Sequence, residues 1–239
     1  MRAAEAAKTL RDGVLSLFFP HACACCGRYI KDFSYLYVCP SCYFSSASLP
    51  GPLCEKCSKP IAFAETGICR ECREHKKHFS YAAASAVYEG AVRELIHCLK
   101  FYNKRGAARV LARRMAGNIN INVKDFDVIL PVPAAQKRRE ERGYSHTRIL
   151  ARELSRLWGI KVCEGVKKIR ETPPQNSLDR KERLVNLKGA FKAEKRFDNK
   201  KVLVLDDVYT TGATMNEMSK ALLKAGADKV AGVAAARSI

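Results

Sequence analysis

Lys201 to Leu205 is a nearly unbroken run of Val and Leu that leads straight into two acids, Asp206 and Asp207, and then into Tyr209-Thr210-Thr211-Gly212-Ala213-Thr214. Such a run suits a strand buried on both faces of a parallel sheet. Met215, Met218, Leu222 and Leu223 then recur at helical spacing. Strand, tight turn and helix in that order make the βα unit of an α/β fold, whose ligands bind beyond the carboxyl ends of the strands. Two adjacent carboxylates repel each other and are costly to desolvate. They call for a partner, which can be sugar hydroxyls, a metal-bound water or a basic side chain. The free amides at the helix start, the hydroxyls of Thr210, Thr211 and Thr214, and Gly212 together suit a phosphate dianion. The combination predicts a sugar-phosphate pocket. A Walker B strand is the nearest rival, and the chain has no GxxxxGK[ST] segment for it to serve.

Eight of the eleven cysteines form four Cys-x-x-Cys pairs: Cys23 with Cys26, Cys39 with Cys42, Cys54 with Cys57, and Cys69 with Cys72. One such turn offers two thiolates to a tetrahedral ion, and two turns complete a closed structural zinc site. Two zinc ions are expected. Sequential pairing puts Cys23, Cys26, Cys39 and Cys42 on one ion and Cys54, Cys57, Cys69 and Cys72 on the other, because each intervening loop suits a short hairpin. Cross-bracing is the alternative that spacing leaves open. Four pairs in series exceed what thiol exchange requires, which weighs against a redox role. Cys25 could be an alternative ligand, while Cys98 and Cys163 read as small buried hydrophobes.

No apolar stretch approaches membrane-spanning length, and Glu5 and Asp12 argue against a signal peptide, so a cytoplasmic protein with reduced cysteines is expected. The net charge is +19, from 43 basic and 24 acidic residues. Zinc-bound thiolates would leave the amino-terminal module close to neutral, so the basic excess belongs to the larger domain. It gathers at Lys137 to Arg142, Lys167 to Arg170, Arg180 to Arg183 and Lys192 to Lys201, where it can serve solubility or contact with nucleic-acid phosphates.

Along the chain, Tyr81 to Tyr88 reads as a strand and Glu89 to Phe101 and Arg105 to Asn118 as helices. Val128 to Leu130 is a strand halted by Pro131, and Arg148 to Trp158 a helix stopped at Gly159. Lys161 to Lys168, Gly189 to Phe191, Lys201 to Leu205 and Lys229 to Ala236 supply further strands. This alternation predicts an α/β fold with a doubly wound, mostly parallel sheet behind a small double zinc ribbon. A helical lead is expected over 1–20, the ribbons over 21–76 and the larger domain over 80–239, divided by the polar connector from Glu74 to Phe79.

DDVYTTGAT resembles the phosphoribosyl pyrophosphate (PRPP) signature of type I phosphoribosyltransferases. With Leu95 to Phe101, Pro131-Val132-Pro133, Arg138 to Ser145, Thr172 to Gln175, Arg183 to Asn186 and the cysteine pairs, the chain resembles the competence protein F family in motif order. It departs at Ser145 and His146, where family members usually carry Asn-Gln. The resemblance implies PRPP and magnesium as ligands. Asp206 and Asp207 would be the catalytic acids that grip the ribose hydroxyls. Thr210, Thr211, Gly212, Ala213 and Thr214 would hold the 5′-phosphate, and Val132, Pro133, Lys137 and Arg138 would receive pyrophosphate with magnesium. Arg170, Gln175 and Arg183 would close over the site from a loop spanning Glu171 to Asn186. His97 and His146 read as helix residues with ordinary hydrogen bonds. The hood that holds an acceptor is expected from the ribbons or from Tyr81 to Asn118. Two functions follow from the resemblance. One is phosphoribosyl transfer to an unidentified acceptor in DNA uptake. The other is PRPP-responsive binding of single-stranded DNA alongside the uptake machinery.

Overall fold

A computed structural model describes residues 22–30, 37–62, 67–134, 143–170 and 187–239. In chain order these form the short helices α1 (Pro40–Phe44) and α2 (Arg70–Glu74), then β1 (Ala82–Ala84), α3 (Gly90–Phe101), α4 (Ala107–Asn118), β2 (Val128–Pro131), α5 (His146–Trp158), β3 (Lys161–Val162), β4 (Val166–Lys168), β5 (Phe191–Ala193), β6 (Lys201–Tyr209), α6 (Ala213–Lys224) and β7 (Lys229–Arg237). Five strands make one parallel sheet in the order β1-β7-β6-β2-β3. Helices cover both faces. Leu203 and Leu205 look toward α3, α4 and α5, whereas Val202 and Val204 look toward α6 and the β4–β5 pair. The doubly wound parallel sheet is therefore present as expected.

Four strands differ from the sequence reading, the first being Gly189 to Phe191, where β5 begins only at Phe191 and runs on to Ala193. Lys161 to Lys168 is not one strand but two: β3 joins the main sheet beside β2, and β4 leaves it to pair antiparallel with β5. The stretch from Tyr81 to Tyr88 shortens to β1, with Val87 making one isolated bridge to Arg237. β6 does not stop before the acids. Its pairing with β2 ends at Pro131 opposite Leu205, but its pairing with β7 runs on to Tyr209 opposite Arg237.

The cysteine turns are built into the same two cores. Cys23, Ile30, Val38 and Cys39 join the cluster of α3, α4 and α5, and Cys54, Cys57 and Cys69 join the cluster on the opposite face. Burying an aliphatic side chain of this size stabilises by about 1.5–3 kcal/mol, so Ile30 and Val38 alone hold the first ribbon more firmly than any exposed ion pair would. In each ribbon the third cysteine precedes a helical turn rather than a hairpin strand: Cys39 caps α1 and Cys69 caps α2. Phe79, at the end of the polar connector, is buried against the second face. No helix among the described residues is long and apolar enough to cross a membrane.

Candidate functional site

Alternation along β6 sends Asp207 toward α3 and α5, where two basic groups meet it. The Lys100 ammonium, from the last turn of α3, lies 2.5 Å from Asp207 Oδ2, and His146 Nε2, at the first residue of α5, lies 2.9 Å from the same oxygen. Both contacts converge on that one carboxylate oxygen. Burial by itself would raise the Asp207 pKa. Lys100 first and His146 second outweigh it, holding this carboxyl well below the usual carboxylate range. Burial likewise works against the Lys100 charge, but Asp207 more than offsets it and the lysine keeps its proton above the ordinary range.

Asp206 is in the opposite condition. It is half-buried, and burial followed by the neighbouring Asp207 charge pushes its carboxyl up to about 7. Its Oδ1 accepts the Asp207 backbone N–H at 2.9 Å. Of the partners two adjacent acids could take, the structure supplies a basic side chain to one of them. The pair consequently presents little net negative charge to an anionic ligand.

The Thr-Gly turn follows directly. Gly212 sits at the N-cap of α6 with φ 76°, and Asn216 N–H closes the first helical turn on its carbonyl at 2.8 Å. A Cβ at Gly212 would lie 2.1 Å from the Tyr209 hydroxyl, so only glycine fits there. Thr211 is buried, its Oγ1 accepting the Ala213 N–H at 3.4 Å. Beside this turn, Val132 N–H donates to the Leu205 carbonyl and the Thr147 hydroxyl donates to the Val132 carbonyl, both at 2.8 Å. The Pro131 turn is thereby pinned between β6 and the start of α5. Ser145 caps α5 by accepting the Arg148 N–H. A cavity of about 540 Å³, within the range of small-molecule sites, opens along Pro131 to Ala134, Tyr144 and Ser145. Its far wall is the segment from Glu164 to Lys168 with Glu194.

Asp206, Asp207, Thr210 to Thr214, Val132 and Pro133 thus lie beyond the same end of the sheet, and of these Val132 and Pro133 line the cavity while the acids and the turn do not. Arg170 is exposed and donates to the Lys188 carbonyl at 3.0 Å. Lys137, Arg138, Gln175 and Arg183 lie outside the described residues.

Each ribbon gathers four thiols whose sulfurs all lie within 4.8 Å of one another: Cys23, Cys26, Cys39 and Cys42 in one, and Cys54, Cys57, Cys69 and Cys72 in the other. Zinc–sulfur bonds of about 2.3 Å in a tetrahedron require sulfurs about 3.8 Å apart. Cys26 and Cys39 are 3.7 Å apart, and Cys57 and Cys69 are 3.8 Å apart. Backbone amides of Cys39 and Cys69 donate to the sulfurs of Cys23 and Cys54, which orients those sulfurs and favours their thiolate form. The donor sets fit structural zinc, paired sequentially. Cys25 is exposed and belongs to neither set, Cys98 is buried, and Cys163 is half-buried.

Comparison with known proteins agrees with this architecture. A phosphoribosyl transferase domain model matches residues 105–237, and a double zinc ribbon model matches residues 14–73. Competence protein F of Haemophilus influenzae is 30% identical over 75% of this chain and 82% of its own length. The chain belongs to the competence protein F family. DNA utilization protein YhgH of Escherichia coli K12 is 30% identical, covering 74% of this chain and 81% of that one. Competence protein ComFC of Bacillus subtilis is 25% identical over 79% of each.

Two residues of this family member's site were not assigned a role from sequence. Lys100 lies within Leu95 to Phe101, a stretch noticed only as a motif. Its signal was a lysine ending a helix whose other positions, Leu95, Ile96, Cys98 and Leu99, are buried. His146 is a helix residue as expected, and its ring reaches Asp207, a partner that spacing along the chain does not reveal. His97 behaves as expected, meeting the Tyr88 hydroxyl at 3.1 Å and the Phe101 ring edge-on.

Proposed function

We propose that the chain binds PRPP, with magnesium on the pyrophosphate oxygens, and transfers the phosphoribosyl group to an acceptor in the handling of incoming DNA. The observation that carries this reading is the order of groups at the end of β6: two carboxylates in opposite protonation conditions, then a glycine-gated turn opening a helix. Thr210 to Thr214 would hold the 5′-phosphate through hydroxyls and free amides. Asp206, facing the site, would accept from the ribose hydroxyls. Asp207, anchored by Lys100 and His146, would place a fixed negative charge near the ring as positive charge develops there. The bond from the anomeric carbon to pyrophosphate breaks, the acceptor's electron pair forms the new bond, and the acceptor releases a proton. Magnesium, when bound, would neutralise the departing pyrophosphate. The names of the relatives, competence and DNA utilization proteins, support the link to DNA.

One observation favours a second reading, PRPP-responsive binding of single-stranded DNA. Asp207 is already paired, so a sugar that reaches it must share it with Lys100 or displace Lys100, and displacement would shift α3. Calorimetry with PRPP and magnesium tests what the two readings share. Wild type should bind, and Asp206→Ala should lose most of the heat. An absence of binding by wild type rejects both. Pyrophosphate release over a panel of bases and amines then separates them, because a purely responsive protein releases none.

A further inference from the structure

The second ribbon touches the phosphate turn through a short chain of buried groups. Arg237, at the end of β7, is 3% exposed, and its Nη1 donates to the Cys57 carbonyl at 2.5 Å. Its guanidinium lies over the Tyr209 ring at 4.5 Å. Tyr209 is itself buried, met edge-on by Phe79 at 6.4 Å, and its hydroxyl fills the space that a side chain at residue 212 would need. The Tyr209 carbonyl accepts the Ser238 N–H at 3.0 Å, which ties the base of the turn to the strand that carries Arg237. Helix α6 is tied to the same region, since Asn216 Oδ1 accepts the His78 N–H at 2.7 Å.

A buried guanidinium needs a counter-charge or several acceptors. Among the described residues no carboxylate pairs with Arg237, and its Nε has no hydrogen-bond partner. Four thiolates around one zinc carry a net charge of −2, and Cys57, whose carbonyl Arg237 binds, supplies one of them. A closed zinc centre held by these four thiols would supply the negative charge next to this arginine.

We propose that Arg237 and Tyr209 are positioning residues for the sugar-phosphate turn, and that the Cys54, Cys57, Cys69 and Cys72 centre is the support on which they act. The centre fixes Arg237, Arg237 fixes the Tyr209 ring, and the ring sets the backbone at Gly212 from which the phosphate-binding amides fan out. This inference rests on the sugar-phosphate reading of the turn.

The test uses full-length, zinc-loaded protein and measures ribose 5-phosphate and pyrophosphate separately by calorimetry, with hydrogen exchange followed at the 210–214 amides. Arg237→Met and Tyr209→Leu should each weaken ribose 5-phosphate binding by about tenfold or more, the scale of one lost hydrogen bond to a charged group. Both should leave pyrophosphate affinity within about twofold and should speed exchange at 210–214. Tyr209→Phe, which keeps the stacked ring, should restore binding toward wild type, and metal analysis should still find both zinc ions. Wild-type ribose 5-phosphate affinity in Tyr209→Leu overturns the proposal, as does an equal loss of both ligands. If Arg237→Met does not fold, Tyr209→Leu decides, because it leaves the arginine and all four thiols in place. Failure of wild type to bind ribose 5-phosphate would instead reject the sugar-phosphate reading itself.

Discussion

The two ribbons are fastened to the sheet domain by the same device, with different consequences. At the first, Arg114 of α4 donates to the carbonyls of Tyr43 and Ser46 at 3.2 and 2.8 Å and stacks over the Tyr43 ring at 5.5 Å. At the second, Arg237 donates to the Cys57 carbonyl and stacks over Tyr209. Tyr43 belongs to the ribbon being held, whereas Tyr209 belongs to the phosphate turn. The first arginine only closes a joint. The second lies between the thiols of the second ribbon and the turn that we propose holds the phosphate, so a similar contact would take a different role from the identity of the ring beneath it.

The largest expected effect comes from removing the metals one at a time. Structural zinc contributes on the order of 10 kcal/mol to folding in small zinc domains, so Cys39→Ser and Cys69→Ser should each cost one zinc per chain by metal analysis and lower the melting temperature by about 20 °C or more. The asymmetry should appear in ligand binding. Ribose 5-phosphate affinity should fall with Cys69→Ser and survive Cys39→Ser, and equal losses would break the comparison. Next in size are breaks in buried charge contacts, which cost about 3–5 kcal/mol when one partner is removed. Lys100→Met should destabilise by about that amount in urea melts, and a double-mutant cycle with Asp207→Asn should recover much of it. Arg114→Met should cost about 2–3 kcal/mol, from hydrogen bonds to a charged donor, without altering ribose 5-phosphate binding.

Glycine substitutions sharpen the contrast at smaller scale. Gly27, in the first ribbon, has φ 71° with open space around its Cβ position, while Gly212 has φ 76° and the Tyr209 hydroxyl in the way. Gly27→Ala should cost about 1 kcal/mol, the backbone penalty alone. Gly212→Ala should cost more and also weaken the phosphate ligand. The smallest effect is a slope in pH. A free aspartate deprotonates near 4, whereas Asp206 holds its proton to about 7 in the folded chain. Between those values the native state binds more protons than the unfolded state. Stability should therefore fall as pH rises through this window, by up to about 1.4 kcal/mol per unit. Asp207, held low, works the other way and contributes stability that is lost as pH falls below about 4. Asp206→Asn should flatten the slope between pH 4 and 7, and a persistent slope would assign it to other groups.

Much of this was legible in the sequence where a local pattern determines the outcome. The apolar periodicity of α3 and α4, the Gly159 stop of α5 and the sequential cysteine pairing all depend on neighbours within a few turns of chain. What could not be read depends on distant partners. β6 outlasts its expected end because β7 continues alongside it, and residue propensities say nothing of a partner's length. The split of Lys161 to Lys168 follows from Gly165, whose φ of 134° turns the chain from one sheet to another. Lys100 and His146 meet Asp207 only because two helices end over one strand tip, and no spacing along the chain predicts that meeting. The placement of the ribbons on opposite faces of the sheet was equally hidden, because each carries the same cysteine signature.

Arg237 and Cys57 stand 180 positions apart. During synthesis the second ribbon can capture its ion early, yet the seat it must occupy does not exist until β7 has left the ribosome. Contacts of such long range are slow to form, so a ribbon that loads early must wait for its dock. On the proposed linkage, the turn from Thr210 to Thr214 takes its final shape only once β7 is in place beside it.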